Sequence, residues 1–245
     1  MKKSKTRIFI SKSLSANILI YIKDKQLHFL KNVIRIKIND EIDVFDGTSG
    51  EWKSKVISIN RNNIVIKVIS LNKKIEKEND IWLVFSPIKQ HRMSIAIQKA
   101  TELGVSRILP CITEYTNFRK INLKNLYDNA IEAAEQSERL DVPKIDKEIN
   151  LSDIISNWPS DRKIFFCDEN RTNDIQLLID ALVPFKKTLH KSAVLIGPEG
   201  GFSNKDRDII MSNKYVTPVS LGSKVLRSDT AITVALFSIQ QLLSN

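Results

Sequence analysis

The segment Ala193-Val194-Leu195-Ile196-Gly197-Pro198-Glu199-Gly200-Gly201-Phe202-Ser203 passes from an uninterrupted apolar run into three glycines and a proline. Four apolar residues without polar alternation are the pattern of a strand covered on both faces, as in the middle of a parallel sheet. Ser203 with Asp206 three residues further on is a helix start, the hydroxyl taking one backbone N–H and the carboxylate reaching back to another. Strand, short loop and helix form the repeating unit of an α/β domain, whose ligands sit outside the carboxyl ends of its strands. Residues without side-chain bulk would let the backbone approach such a ligand. The loop is therefore a candidate ligand loop, and a turn that merely connects is the alternative. No Gly-Lys-Ser/Thr follows, and the spacing is not Gly-x-Gly-x-x-Gly, so neither a P-loop nor a dinucleotide fingerprint is present.

Working outward, the same rhythm covers the chain beyond Asp80. Strands are expected over Ile81–Phe85, Val105–Ile112, Ile164–Cys167 and Tyr215–Leu221, and helices over Ser94–Leu103, Leu123–Leu140 and from Asp229 onward. A mainly parallel sheet follows. A second loop, Leu221-Gly222-Ser223-Lys224-Val225-Leu226-Arg227-Ser228-Asp229-Thr230, is half apolar although it lies between elements. Val225 and Leu226 need a cover, either a flat aromatic ligand or the bottom of the core. From Thr6 to Leu71 short strands and turn signals (Asp46-Gly47, Gly50, Asn60 to Asn63) read as a small β-rich domain with one short helix after Asp24. The charged run Leu71 to Asp80 places the boundary, giving domains over 1–72 and 73–245.

The 245 residues are 42% hydrophobic with seven Gly and seven Pro, which excludes a disordered or collagen-like chain. Thirty-eight Lys plus Arg against 28 Asp plus Glu leave a formal +10, a field that attracts polyanions. Nucleic acid is the leading partner class, with a merely solvated basic surface as the alternative. Cys111 and Cys167 stand far apart in apolar strands without a His/Cys ligand cluster, so neither a disulfide scaffold nor a metal site is expected. No apolar run reaches the roughly 18 to 20 residues of a membrane span, and no signal-peptide core appears, so the cytoplasm is the expected compartment. Within Glu132-Ala133-Ala134-Glu135-Gln136-Ser137-Glu138-Arg139, Glu135 and Arg139 at i, i+4 read first as an exposed ion pair. Lys89, Arg92 and Lys99 are either phosphate contacts or a wet helix face.

Gln98 to Val105 (QKATELGV), Glu132 to Arg139 (EAAEQSER), Leu195 to Ser203 (LIGPEGGFS) and Leu221 to Ala231 (LGSKVLRSDTA) resemble, in order and spacing, the RsmE family of ribosomal RNA uracil-N3 methyltransferases. That family belongs to the SPOUT superfamily. His28 to Gly47 is similar to its small N-terminal PUA-like β-barrel, so the resemblance covers nearly the whole chain. Ser228-Asp229 stands where the family usually shows Thr-Glu, and Lys224 where Arg is common. The resemblance implies an α/β methyltransferase domain with a mainly parallel sheet tied into a trefoil knot, against the general rule that chains are unknotted. It also implies S-adenosyl-L-methionine as cofactor, a homodimer, and 16S ribosomal RNA of the small subunit as partner.

By residue, the implied cofactor pocket falls on Leu195, Ile196, Gly197, Glu199 and Gly200, and on Leu221, Gly222, Val225, Leu226, Arg227 and Thr230, with Asp168-Glu169 as the remaining wall. Arg139 and Glu135 are the implied catalytic candidates, a guanidinium to stabilise negative charge on the base and a carboxylate to take its proton, with Arg227 as an alternative for the former. The N-terminal domain is expected to grip RNA through Lys2, Lys3, Lys5, Arg7 and Arg35, and the second domain through Lys89 and Arg92. A related methyltransferase of another RNA and a non-catalytic ribosome-assembly protein are the rival readings.

Overall fold

The computed structural model describes residues 4–75, 79–169, 175–186, 188 and 190–243. The chain forms two compact units, Met1–Lys77 with Ala134–Val142, and Glu78–Ala133 with Pro143–Asn245. The expected boundary at 72/73 falls a few residues earlier, and the return of 134–142 to the first unit was not foreseen.

In the first unit, β1 (Arg7–Phe9), β2 (Leu19–Ile22), β3 (Glu41–Phe45), β4 (Glu51–Ile59) and β5 (Ile64–Lys73) form a sheet in the order β1-β3-β4-β5-β2. It is antiparallel apart from the β1–β3 pair. The expected helix is α1 (Asp24–His28), which widens into a π-helical turn over Phe29–Val33 and buries Leu30. Ile8, Ile22, Leu30, Ile42, Val44, Val56, Ile64, Ile66 and Val68 close the core. Arg7 is fixed beneath it. Its Nε pairs with Glu51 Oε2 at 2.6 Å, its Nη1 donates to the carbonyls of Ala134 and Glu135, and its Nη2 donates to Arg139 O. Glu51, 2% exposed, takes its second bond from Asn72 Nδ2 at 2.6 Å.

In the second unit, β6 (Asp80–Phe85), α2 (Gln90–Glu102), β7 (Val105–Ile112), α3 (Leu123–Gln136), β8 (Lys144–Ile145), β9 (Ile149–Asn150), α4 (Leu151–Ser156), β10 (Lys163–Cys167), α5 (Leu178–Leu182), β11 (Lys191–Ile196), α6 (Asn204–Met211), β12 (Val216–Val219) and α7 (Ser228–Leu243) follow in order. All strand pairs are parallel, in the order β12-β10-β11-β6-β7-β8, with β9 also on β7. The uninterrupted apolar runs Ile164–Cys167 and Ala193–Ile196 are buried because helices cover the sheet. Ile232, Ala235, Leu236 and Ile239 recur at helical spacing on α7, are fully buried, and pack it against α2, α5 and β11.

At the amino ends of these strands Arg162, 3% exposed, ties three segments together: Nη2 pairs with Asp80, and Nη1 donates to Asp80 O and, at 3.0 Å, to Ser192 O. Its guanidinium lies 3.7 Å from the Trp82 ring centroid, with that of Arg107 at 4.6 Å. Burial pushes the Asp80 carboxyl up, but hydrogen bonds from Ser106, Arg162 and Trp82 outweigh it and leave its pKa below the ordinary value.

Helix α3 ends at Gln136, four residues short of the expectation. Glu138 sits in the left-handed region at φ +59°, which breaks the helical spacing that would bring Glu135 to Arg139. Arg139 pairs with Asp141 at 2.6 Å, and Glu135 Oε1 accepts the Phe9 N–H at 2.9 Å.

Candidate functional site

Strands β10, β11 and β12 are neighbours, all parallel, so the three turns leaving their carboxyl ends converge. Between them lies a cavity of about 420 Å³, walled by Cys167, Asp168 and Glu169 after β10, Ile196 to Glu199 with Gly201 after β11, and Ser220 to Ser228 after β12. Ile175 and Ala231 complete the lining.

The glycines of the middle turn serve packing as much as ligand approach. A Cβ on Gly197 would lie 2.6 Å from the Phe202 ring, which is buried and edge-on to Phe166 at 4.9 Å. A Cβ on Gly201, at φ +70°, would collide with the Glu169 carboxylate, and one on Gly200 would crowd Tyr115 at 3.3 Å. Gly201 N–H donates to Pro198 O at 3.0 Å, closing the turn. Ser203 and Asp206 form the expected capping box, and Asp206 also accepts the Glu114 N–H at 3.2 and 3.3 Å. Ser228 Oγ donates to Gly197 O at 2.9 Å and staples the third turn to the second.

The third turn is open. Gly222, at φ +119°, has nothing within 4 Å of where a Cβ would stand, and its N–H donates to Ser220 Oγ at 3.2 Å. Val225 is 69% exposed, so it does not plug the core; it stands on the cavity wall.

Three carboxylates and two cations face this space: Asp168, Glu169 and Glu199 with Lys224 and Arg227. Arg207 pairs with Asp168 and Glu169, each at 2.9 Å, and Arg92 with Glu199 at 3.5 Å. Arg227 is exposed, and its guanidinium has no ion pair or hydrogen bond among the described residues. Burial pushes the Cys167 thiol far up, so a thiolate nucleophile is not available at neutral pH. Among the described residues no group of His, Cys, Asp and Glu could hold a metal ion.

A family model described as an RNA methyltransferase domain matches residues 76–240, and one described as an RNA methyltransferase PUA domain matches 22–69. The chain belongs to the RNA methyltransferase family. It is 33% identical to the ribosomal RNA small subunit methyltransferase E of Rickettsia conorii over 239 residues, covering 96% of this chain and 95% of that one. The protein of the same name from Buchnera aphidicola subsp. Schizaphis graminum is 29% identical, with 98% and 97% covered. The crystal structure of a ribosomal RNA small subunit methyltransferase E from Neisseria gonorrhoeae, bound to S-adenosyl methionine, superposes with a TM-score of 0.84 at 25% identity, covering 97% and 98% of the two chains.

In this RNA methyltransferase the cavity gathers Ile196, Gly197, Glu199, Leu221, Gly222, Val225, Leu226 and Arg227 of the expected pocket, with Asp168 and Glu169. Three expected residues are not in its lining. Leu195 is 1% exposed in the core beneath, Gly200 faces Tyr115, and Thr230 is exposed on the first turn of α7.

The two catalytic candidates, Arg139 and Glu135, lie in the first unit, where Arg139 pairs with Asp141 and Glu135 Oε1 accepts the Phe9 N–H, and neither is among the residues that line the cavity. Arg7, one of the expected RNA contacts, has all three guanidinium nitrogens engaged internally. Lys5 pairs with Asp40. Arg35 and Lys89 are exposed and Arg92 half-buried, while Lys2 and Lys3 lie outside the described residues. Sequence reasoning passed over Arg207 and the Ser228 staple. The Ser203/Asp206 signature, which fixes where Arg207 emerges, was the available signal.

Proposed function

We propose that this chain transfers the methyl group of S-adenosyl-L-methionine to N3 of a specific uracil in the 16S RNA of the small ribosomal subunit, acting in the cytoplasm as a homodimer. The cavity between three adjacent strand ends carries the reading, because its wall combines an open glycine, an exposed valine and carboxylates. Those features suit a nucleoside with an apolar base face, hydroxyls and an ammonium group. Val225 and Leu226 would cover the base, and Glu169 would accept from polar groups. The cofactor supplies an electrophilic methyl on a sulfonium. The trefoil knot implied by the resemblance is part of the same proposal.

Uracil N3 carries a proton in the neutral base and is a poor nucleophile until that proton leaves. The chain must hold N3 in line with the methyl, so that the N–CH3 bond forms as the S–CH3 bond breaks and the thioether leaves, and must stabilise the charge on O2 and O4 as water takes the N3 proton. Arg139 and Glu135 remain candidates from the matched motif, and Arg227 is the candidate for the electrostatic role at the cavity itself, since its guanidinium stands there with no partner among the described residues. Arg227→Ala should lower the single-turnover rate of methyl transfer by about 10²-fold or more, the scale of losing one transition-state charge donor. Undiminished turnover would remove Arg227 from the chemistry.

The test of the function itself is nucleoside mass spectrometry of small subunits incubated with purified protein and cofactor. N3-methyluridine in 16S RNA is the expected product. A methyl group on another RNA would select a different substrate, and cofactor binding without transfer would select an assembly role.

A further inference from the structure

Arg207 stands in the first turn of α6, where the helix dipole disfavours a cation. Its place is explained by what it holds. Nε and Nη2 clasp the two oxygens of Asp168 at 3.0 and 2.9 Å, Nη2 also reaches Glu169 Oε1 at 2.9 Å, and Nη1 donates to Phe202 O at 2.5 Å. The guanidinium thus joins the turn after β10 to the turn after β11, two of the three walls of the cavity.

Glu169 is the member of this cluster that faces outward. Its Oε1 is fixed from two sides, by Arg207 and by the Phe202 N–H at 3.2 Å, and it occupies the space that Gly201 leaves by lacking a Cβ. Among the described residues Oε2 accepts no hydrogen bond, although the side chain is 38% exposed and lines the cavity. Asp168, by contrast, is 7% exposed at its side chain and serves as the anchor for the guanidinium. A carboxylate held through one oxygen presents the other at a fixed place, so binding does not have to immobilise it.

We propose that Arg207 is a positioning residue of the cofactor pocket: it acts through Glu169, holding Oε2 as a preset acceptor for a hydroxyl or ammonium group of the bound nucleoside. This deepens the function proposed above and rests on it. Arg207 does not line the cavity, so its effect is on binding rather than on methyl transfer.

The experiment is calorimetric titration of S-adenosylmethionine into the full chain and into its Arg207→Met, Arg207→Lys, Glu169→Gln and Arg207→Met/Glu169→Gln variants, with steady-state kinetics alongside. Arg207→Met should weaken binding about tenfold, the scale of one charge-assisted hydrogen bond, and raise the cofactor KM with kcat at saturation unchanged. In the Glu169→Gln background the same substitution should add little. Equal losses in both backgrounds would mean that Arg207 acts on the fold at large, and would overturn the proposal. Should Arg207→Met fail to fold, Arg207→Lys decides: it keeps a charge for Asp168 but not the fork to Glu169, so binding several-fold weaker than wild type supports the inference and wild-type affinity overturns it. A wild-type chain that does not bind the cofactor overturns the functional reading and this proposal together. Wild-type binding with unaffected Arg207 variants overturns this proposal alone.

Discussion

Arg7, Arg139, Arg207 and Arg227 carry the same side chain in four different surroundings: a buried carboxylate, a nearby Asp141, a pair of cavity-wall carboxylates and the open cavity. Glu51, 2% exposed, depends on Arg7 for its charge partner. Arg7→Ala should therefore lower the unfolding free energy by about 3–5 kcal/mol, the penalty of a buried charge left unpaired, measured by urea denaturation of the full chain. Val225 makes the opposite case. It is exposed, so Val225→Asp should leave stability within about 0.5 kcal/mol while it weakens cofactor binding by placing a charge where an apolar face is covered. Calorimetry beside thermal melting separates the two effects. The half-apolar stretch Leu221 to Thr230 stood out in the sequence because loops are normally polar, while the assignment of individual residues to a cofactor pocket came from the resemblance. Arg7 and Arg207 did not stand out, because their partners lie 44 and 38 or 39 residues away along the chain and no local pattern reports such a pairing.

Elements with a long apolar period were equally readable. Strand β7 falls where the pattern puts it, and β6 and α7 each begin one residue from their expected starts. Helices α4 and α5, with six and five residues, and the two-residue strands β8 and β9 escaped, since fewer than two helical turns establish no periodicity. Helix α6 is short but was announced by its cap. Ser203→Ala should cost about 1 kcal/mol by orphaning the Asp206 N–H. Because Asp206 also holds the Glu114 N–H, hydrogen exchange should quicken at Glu114 as well as at the helix start. Protection unchanged at Glu114 would show that the two contacts are independent.

For the molecule as a whole, hydrogen bonds outweigh burial at Asp46, Asp80 and Asp146 and hold these carboxyls below their ordinary pKa, whereas burial, the leading effect, leaves Asp43 raised. A carboxyl depressed in the folded state contributes stability above its unfolded value of about 4 and loses it as the pH falls through the folded value. The raised Asp43 works in the opposite sense. With Asp161, which the hydrogen bond from Lys191 also holds low, the count among the described residues is four against one, so the balance predicts a melting temperature that declines below about pH 4, and a flat profile there would contradict it. The formal +10 predicts RNA affinity that falls steeply with added salt, checked by filter binding across a potassium chloride series.

The first unit is assembled from two stretches of chain, its second contribution being 134–142 at the far end of α3. A gene cut after residue 77 would thus not separate two self-sufficient pieces. The amino-terminal fragment would keep Glu51 and the Phe9 amide but lose the carbonyls that satisfy Arg7, and the remainder would trail nine residues shaped to dock on something it no longer has.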